Sequence, residues 1–457
     1  REAPATRPRH EPCKPESPPT LSTPESRLKS GNPGLPRGAA LPEPHSRERP
    51  GTRHPLLDAV EGALRTGPGL LEAGAREGMG RARESLLRGA LLPAFTLRGE
   101  AAREERSWPG GRLGDGTRLW EFEMRQSLYD ARARGESASA VHQGEALRQE
   151  KLRAAQVQIR EVVSVYAALY GARGQLRLSG EHEERIAAHL RATRRRFEAG
   201  ELTLTDVTQA EVRLAAAETA RIQASRREAA LGAEYRAVTG ASPPEELPEA
   251  KLAPVDPGPG EDRAGVRPDL LAARSEVFAA ACRRQGADRN RLPLIGLRAG
   301  YGQNWAGASS GLPGPATDRR VGIEVEIPLY SGGSLGAEAR EAAWDETLWQ
   351  ARLAGREREV ARDLEVARQR FEEAREVCAA QERAAALAAG ALDAVGKEFA
   401  AGTRTALDVL DAQEELFAAR RQLLDAHSAI LLGEVDLLLA RGRLDSEELE
   451  RRLPLAP

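Results

Sequence analysis

Asp408 and Asp411 stand three residues apart in a helical pattern, so their carboxylates share one face, with Arg404 a turn earlier. Thr203 and Asp206 form a matching group 202 positions before Thr405 and Asp408. Carboxylates and a guanidinium at this spacing attract cations, form ion pairs and cap helices. None of them stands beside a nucleophile it could activate. The 7 His show no metal-ligand spacing, and no glycine loop is suited to phosphate. An enzyme therefore has no constellation here, and neither a cofactor nor a metal ion is expected.

The group at 404–411 belongs to a longer repeat. Phe197-Glu-Ala-Gly200-Glu-Leu-Thr203-Leu-Thr-Asp206-Val returns as Phe399-Ala-Ala-Gly402-Thr-Arg404-Thr405-Ala-Leu-Asp408-Val, each copy closing a long Ala-rich stretch. Leu92-Pro93 returns as Leu292-Pro293, Leu128-Tyr129 as Leu329-Tyr330, and Gly240 as Gly442. Landmarks held in one order make the folding unit half the chain.

The 457 residues are 40% hydrophobic but only 4% aromatic, a balance of extended Ala/Leu helices more than of compact cores. A net charge of -2, with 30% charged residues of both signs, excludes a nucleic-acid footprint. Cys13, Cys282 and Cys378 are too scattered for a disulfide framework or a zinc motif, and Cys378 reads as a small buried residue on a helical seam. No apolar run is long enough for a transmembrane helix, and no charged-then-apolar secretory signal is visible in the residues that follow Arg1. Residues 1–52, rich in Pro, Arg, Glu and Ser, are expected to be a disordered extension.

Val409, Ala412, Leu416, Ala419, Leu423, Ala426, Ile430, Gly433, Leu437 and Ala440 alternate steps of three and four, which is a coiled-coil seam. Val360, Leu364, Ala367, Phe371, Ala374, Cys378, Gln381, Ala385, Ala388, Leu392, Val395 and Phe399 give the facing seam. The outgoing helix, roughly 334–400, would run on the order of 100 Å. Gly402 suits the left-handed position that ends it, and Thr405-Ala-Leu-Asp408 is a capping box opening the return helix. Gly200 and Thr203–Asp206 repeat this. Residues 56–91 and 268–291 should continue the two columns.

Two stretches follow a different period. Trp120, Phe122 and Met124 alternate with Glu121, Glu123 and Arg125, and Val321, Ile323, Val325 and Ile327 alternate with Gly322, Glu324 and Glu326. Alternation predicts strands, paired with Phe95–Gly99 and Ile295–Tyr301. Stretches 107–118 and 306–319 read as flexible connections. Such strands suit a barrel wall, apolar toward lipid and polar toward a wet lumen. Four strands are too few to close a barrel, but twelve strands from three copies leave no open edge in lipid. The heptads alone equally suit a soluble or periplasmic coiled-coil scaffold or adaptor, which would leave the strands without a role.

The duplicated order of helix, strand pair, long helix, Gly-x-x-Thr-x-x-Asp-Val turn and return helix resembles the TolC-like outer-membrane efflux and type I secretion channels. Gly402-Thr-Arg-Thr405-Ala-Leu-Asp408-Val-Leu-Asp411-Ala carries the resemblance most closely, with Ile327-Pro-Leu-Tyr330-Ser-Gly332-Gly333 and Arg267-Pro268-Asp269-Leu270-Leu271. It implies an α+β membrane protein in the outer membrane of a Gram-negative bacterium: a homotrimer with a 12-stranded β-barrel continued by an α-helical coiled-coil barrel across the periplasm. Its partners would be outer-membrane lipid, a periplasmic adaptor and an inner-membrane pump, with no nucleic acid.

On this reading the first repeat is 53–240, the connector 241–267, the second repeat 268–445 and the C-terminal tail 446–457. The resemblance makes the tips at Gly200, Glu201, Ala401 and Gly402 the adaptor-docking end. It places Asp206 and Arg404 where a closed entrance is held by pairing, and Asp408 and Asp411 where carboxylates ring the constriction. Helix capping explains Asp206 and Asp408 equally well; Asp411 lies beyond the cap and Arg404 has no capping role. Phe399 replaces a tyrosine often found there, which implies a missing hydroxyl contact and a looser gate.

Overall fold

The computed structural model describes residues 54–253, 267–305 and 316–453. The expected disordered extension, Cys13, and the stretches 254–266 and 306–315 lie outside these residues.

The first repeat opens with α1 (Pro55–Thr66) and α2 (Pro68–Gly89), each with proline in its first turn. The expected single segment from residue 56 is thus two helices. Pro68 has no N–H to continue the ladder and forces Gly67 into extended backbone, φ -61° and ψ 121°. Strands β1 (Ala94–Trp108) and β2 (Gly111–Tyr129) follow, then α3 (Ala131–Glu198) and α4 (Leu204–Thr239). The second repeat runs α5 (Pro268–Asp288), β3 (Leu294–Trp305), β4 (Ala316–Glu326), α6 (Ser334–Ala400) and α7 (Ala406–Ala440). The segment from residue 446, expected as a tail, contains α8 (Ser446–Arg452), capped by Asp445 and burying Leu449.

The four strands form one antiparallel sheet in the order β1-β2-β3-β4. The connection expected over 107–118 is mostly strand. Ladder pairing continues to Trp108↔Gly111, so Pro109-Gly110 alone makes the turn. The Gly/Arg/Asp-rich sequence there shows no apolar alternation, and backbone pairing to β1 decides its conformation. Residues 316–319 are likewise strand.

The helices continue the order of the strands. α2, α3, α5 and α6 pack side by side in that sequence, and farther along α4, α3, α7 and α6 do the same. The facing seams of α6 and α7 are buried as their spacing predicts, at Val360, Ala367, Phe371, Cys378, Ala385 and Ala388 against Val409, Ala412, Leu416, Ala419, Ala426, Gly433, Leu437 and Ala440.

The largest core lies where both columns meet the connector. Leu56, Val60, Val162, Tyr166, Leu169, Tyr235, Phe371, Val435, Leu438 and Leu449 come together there. The Tyr166 hydroxyl donates to Pro248 O at 2.8 Å, tying the connector to α3. No helix among the described residues is long and apolar enough to cross a membrane.

Candidate functional site: the helix-turn tips and the strand faces

At the end of α3, Gly200 adopts φ +78°, and its N–H donates to Phe197 O at 2.9 Å while the Glu201 N–H reaches Arg196 O at 2.9 Å. At the end of α6, Gly402 has φ +79°, with bonds from Gly402 N–H to Phe399 O at 3.1 Å and Thr403 N–H to Glu398 O at 3.0 Å. This paired pattern satisfies the last carbonyls of a helix and needs a residue at ease with positive φ. Glu201 and Ala401 are exposed beside the two glycines.

Each return helix opens on a closed capping box. Asp206 Oδ2 accepts from the Thr203 N–H at 2.8 Å, and Thr203 Oγ1 accepts from the Asp206 N–H at 3.3 Å. Asp408 Oδ2 accepts from the Thr405 N–H at 2.8 Å, and Thr405 Oγ1 from the Asp408 N–H at 3.2 Å. Both carboxylates are held below their ordinary range, Asp206 first by the Thr203 hydroxyl and Asp408 first by the Thr405 N–H. The capping role of these two residues is therefore physically present.

Within the protomer Arg404 and Asp206 are not brought together. Arg404 Nε donates to Glu398 Oε2 at 2.9 Å, and another guanidinium nitrogen lies 4.0 Å from Asp408. Asp411 accepts from Arg213 of α4 at 2.7 Å, so it ties α7 to the first repeat. Arg213 and Glu398 were missed because these pairs cross a turn or join helices distant in sequence. Phe399 lies beside His189, ring centroids 5.9 Å apart, with the Arg196 guanidinium 4.5 Å from its ring centre. A cation–π contact thus engages this phenylalanine.

The strand register sorts the sheet into two faces. Phe95↔Met124, Leu97↔Phe122 and Gly99↔Trp120 pair across β1 and β2. Phe122↔Tyr301 and Met124↔Ala299 pair across β2 and β3. Ala299↔Val321, Leu297↔Ile323 and Ile295↔Val325 pair across β3 and β4. Directly opposed residues share a face, so Trp120, Phe122, Met124, Val321, Ile323 and Val325 form one apolar surface. Trp120 packs on Tyr301 and Phe95 on Phe122, while Val321, Ile323 and Val325 keep 84%, 68% and 56% of their surface exposed.

The other face carries Arg298–Glu324 at 3.0 Å, Arg125–Glu123 at 2.6 Å and Arg320–Glu121 at 3.2 Å. The last pair bridges β4 to β2 across β3, over its glycines. A Cβ at Gly302 would meet the Trp120 carbonyl oxygen at 2.8 Å.

One grouping of donor atoms was invisible to sequence spacing. Cys378 and Glu382 of α6 meet His427 of α7, with a ligand atom of each within 4.8 Å of the others.

The description "outer membrane efflux protein" fits the family model matching residues 59–238 and 264–443, once in each repeat. BepC, an outer membrane efflux protein of Brucella suis, is 32% identical over 72% of this chain and 73% of its own length. AprF, an alkaline protease secretion protein of Pseudomonas aeruginosa, is 26% identical over 86% of each. Among solved structures, CusC superposes with a TM-score of 0.77 at 18% identity over 90% of this chain and 99% of its own. The Vibrio cholerae outer membrane protein VceC gives 0.75 at 21% over 85% of this chain and 96% of its own. Both structures share the fold of this chain. A model that matches both repeats, together with a relative aligned over most of both chains, places this chain in the outer membrane efflux protein family.

Proposed function

We propose that three copies of this chain form a channel-tunnel, a 12-stranded barrel in the outer membrane continued by a helical barrel through the periplasm. It serves as the passive exit duct of a tripartite efflux or type I secretion system. The observation that carries this reading is that the protomer is open on both flanks. Among the described residues β1 and β4 are unpaired sheet edges, and the helical order ends at α2 and α4 on one side and at α6 on the other.

Those flanks hold most of the exposed large apolar side chains of the helices. They include Leu71, Met79 and Leu86 on α2, Val212 and Ile222 on α4, and Trp344, Leu348, Val377 and Leu387 on α6. An edge facing lipid leaves backbone groups unsatisfied, and three protomers placed flank to flank remove every edge. β3 and β4, with 12 and 11 residues, have the length of a tilted membrane crossing.

In this arrangement the tips at Gly200–Glu201 and Ala401–Gly402 dock the periplasmic adaptor, and Asp206, Arg404, Asp408 and Asp411 surround the entrance. Asp206 and Arg404, apart within one protomer, would meet across protomers. Relatives named for efflux and for protease secretion both align, and the pump makes the choice of cargo.

A photo-crosslinker at Ile222 in the detergent-solubilised protein tests the assembly. It should bond to α6 of another copy and give a ladder ending at three chains. A particle with the mass of one chain, with no intermolecular product, would overturn the proposal and favour a scaffold.

A further inference from the structure

Cys378 and Glu382 are four residues apart on α6, so they project from one face on successive turns. Opposite them on the antiparallel α7 stands His427. Its Nε2 is 3.9 Å from Glu382 Oε1, and its Nδ1 is 3.2 Å from Glu249 Oε1 in the connector. Cys378 is 4% exposed and is a free thiol among the described residues. His427 and Glu249 also line a small cavity against Tyr166, Tyr170 and Leu431.

We propose that Cys378, Glu382 and His427 form a binding site for a divalent transition-metal ion of the zinc class, with Glu249 orienting the imidazole from outside the coordination shell. Thiolate, imidazole and carboxylate are the donors such an ion prefers, and three protein ligands leave the fourth tetrahedral position to water. The Glu249 contact holds the proton on Nδ1 and turns Nε2 toward the other donors, the usual support for a metal-binding histidine.

Charge points the same way. Lys251 pairs with Glu249 at 3.0 Å. Glu382 and Glu249 against Lys251 leave a net negative charge beside the thiol, which a divalent ion would offset. The ion displaces the thiol proton to solvent, so affinity falls as pH is lowered.

The ion would clamp outgoing helix, return helix and connector together at the level of the main core. The first repeat has no counterpart, because Leu176, Gly180 and Ser225 occupy the matching positions.

Tag-free, chelator-stripped protein carrying Cys13→Ser, in detergent, is titrated with Co(II). We expect one equivalent per chain, a thiolate-to-cobalt charge-transfer absorption, and displacement by Zn(II). Cys378→Ser should abolish the absorption, and Glu382→Gln, at an exposed position that does not threaten folding, should weaken binding at least tenfold. Glu249→Gln should weaken it by about 10–100-fold, the usual cost of losing an outer-shell partner. Cys282→Ser should leave binding unchanged. No saturable binding in the parent, an absorption that survives Cys378→Ser, or undiminished affinity in Glu382→Gln would each overturn the proposal.

Discussion

The two repeats end their long helices alike and then use their return helices differently. Both tips have a glycine near φ +80°, the same two terminal bonds and a closed Thr–Asp capping box. Beyond the tips the likeness stops. α7 lies between α6 and α3 and buries Leu410, Leu416, Phe417, Leu431, Leu437 and Leu438. α4 packs mainly on α3 through Val207, Ala210, Ala217, Ala224 and Gly232, leaving Val212 and Ile222 exposed. Duplication supplied one hairpin twice, but place in the protomer decided which copy became core and which became flank. In the proposed trimer, a return helix on the flank would complete its burial against another copy.

The strongest way to break this comparison is in the sheet, where β2 is interior and β4 is an edge. In a closed barrel Phe122→Arg and Ile323→Arg should both cost about 2–4 kcal/mol at mid-bilayer depth and sharply reduce folded protein in the outer-membrane fraction. Glu324→Gln on the charged face should assemble normally. Tolerance of Ile323→Arg alone would mean that the β4 edge never meets lipid or a second β1.

A return-helix contrast comes next. Glu434 of α7 is buried where α4 has Gly232, and burial pushes its carboxyl up to about 7 despite Arg452 and Arg375. A folded value above the unfolded 4.5 means that its stabilising, protonated state is fully present below pH 4.5 and lost as pH rises through 7. Glu434→Gln should therefore raise the melting temperature at pH 8 more than at pH 5, relieving up to about 3 kcal/mol. Equal shifts at both pH values would show that the carboxyl does not titrate there.

The caps should behave as equals. Asp206→Ala and Asp408→Ala should each lower the melting temperature, and by similar amounts, because each removes the N3 half of a capping box. A loss confined to one repeat would break the equivalence of the tips.

The smallest energetic effects sharpen the comparison at the entrance, where only the second repeat has an arginine in the turn. Arg404→Ser should raise single-channel conductance in a planar bilayer, whereas Leu202→Ser at the matching first-repeat position should leave it unchanged. Asp408→Ala with Asp411→Ala should weaken block by multivalent cations. Parent-like conductance and block in all of these would remove the gate assignment while leaving the caps intact.

Much of this was legible because it is local. The seam spacing of α6 and α7, the Gly-x-x-Thr-x-x-Asp turns and the alternation at Trp120–Met124 and Val321–Val325 each follow from backbone geometry acting over a few residues. The break at Gly67 was missed because the apolar pattern runs through it, although Pro68 announces it. The strand character of 111–118 was missed because a cross-strand partner, not side-chain alternation, holds it.

The sequence alone determined the duplicated unit, its helix stops and caps, and the apolar and charged faces of its strands, because helical and strand periods and φ preferences are properties of neighbouring residues. Only the tertiary structure decided that the two hairpins join through β2 and β3, that α7 rather than α4 lies inside, that Arg404 meets Glu398 and Asp411 meets Arg213, and that Cys378, Glu382 and His427 converge. Those contacts join residues on different elements, and their distances are set by how long helices cross and in what register strands pair, which no local spacing records.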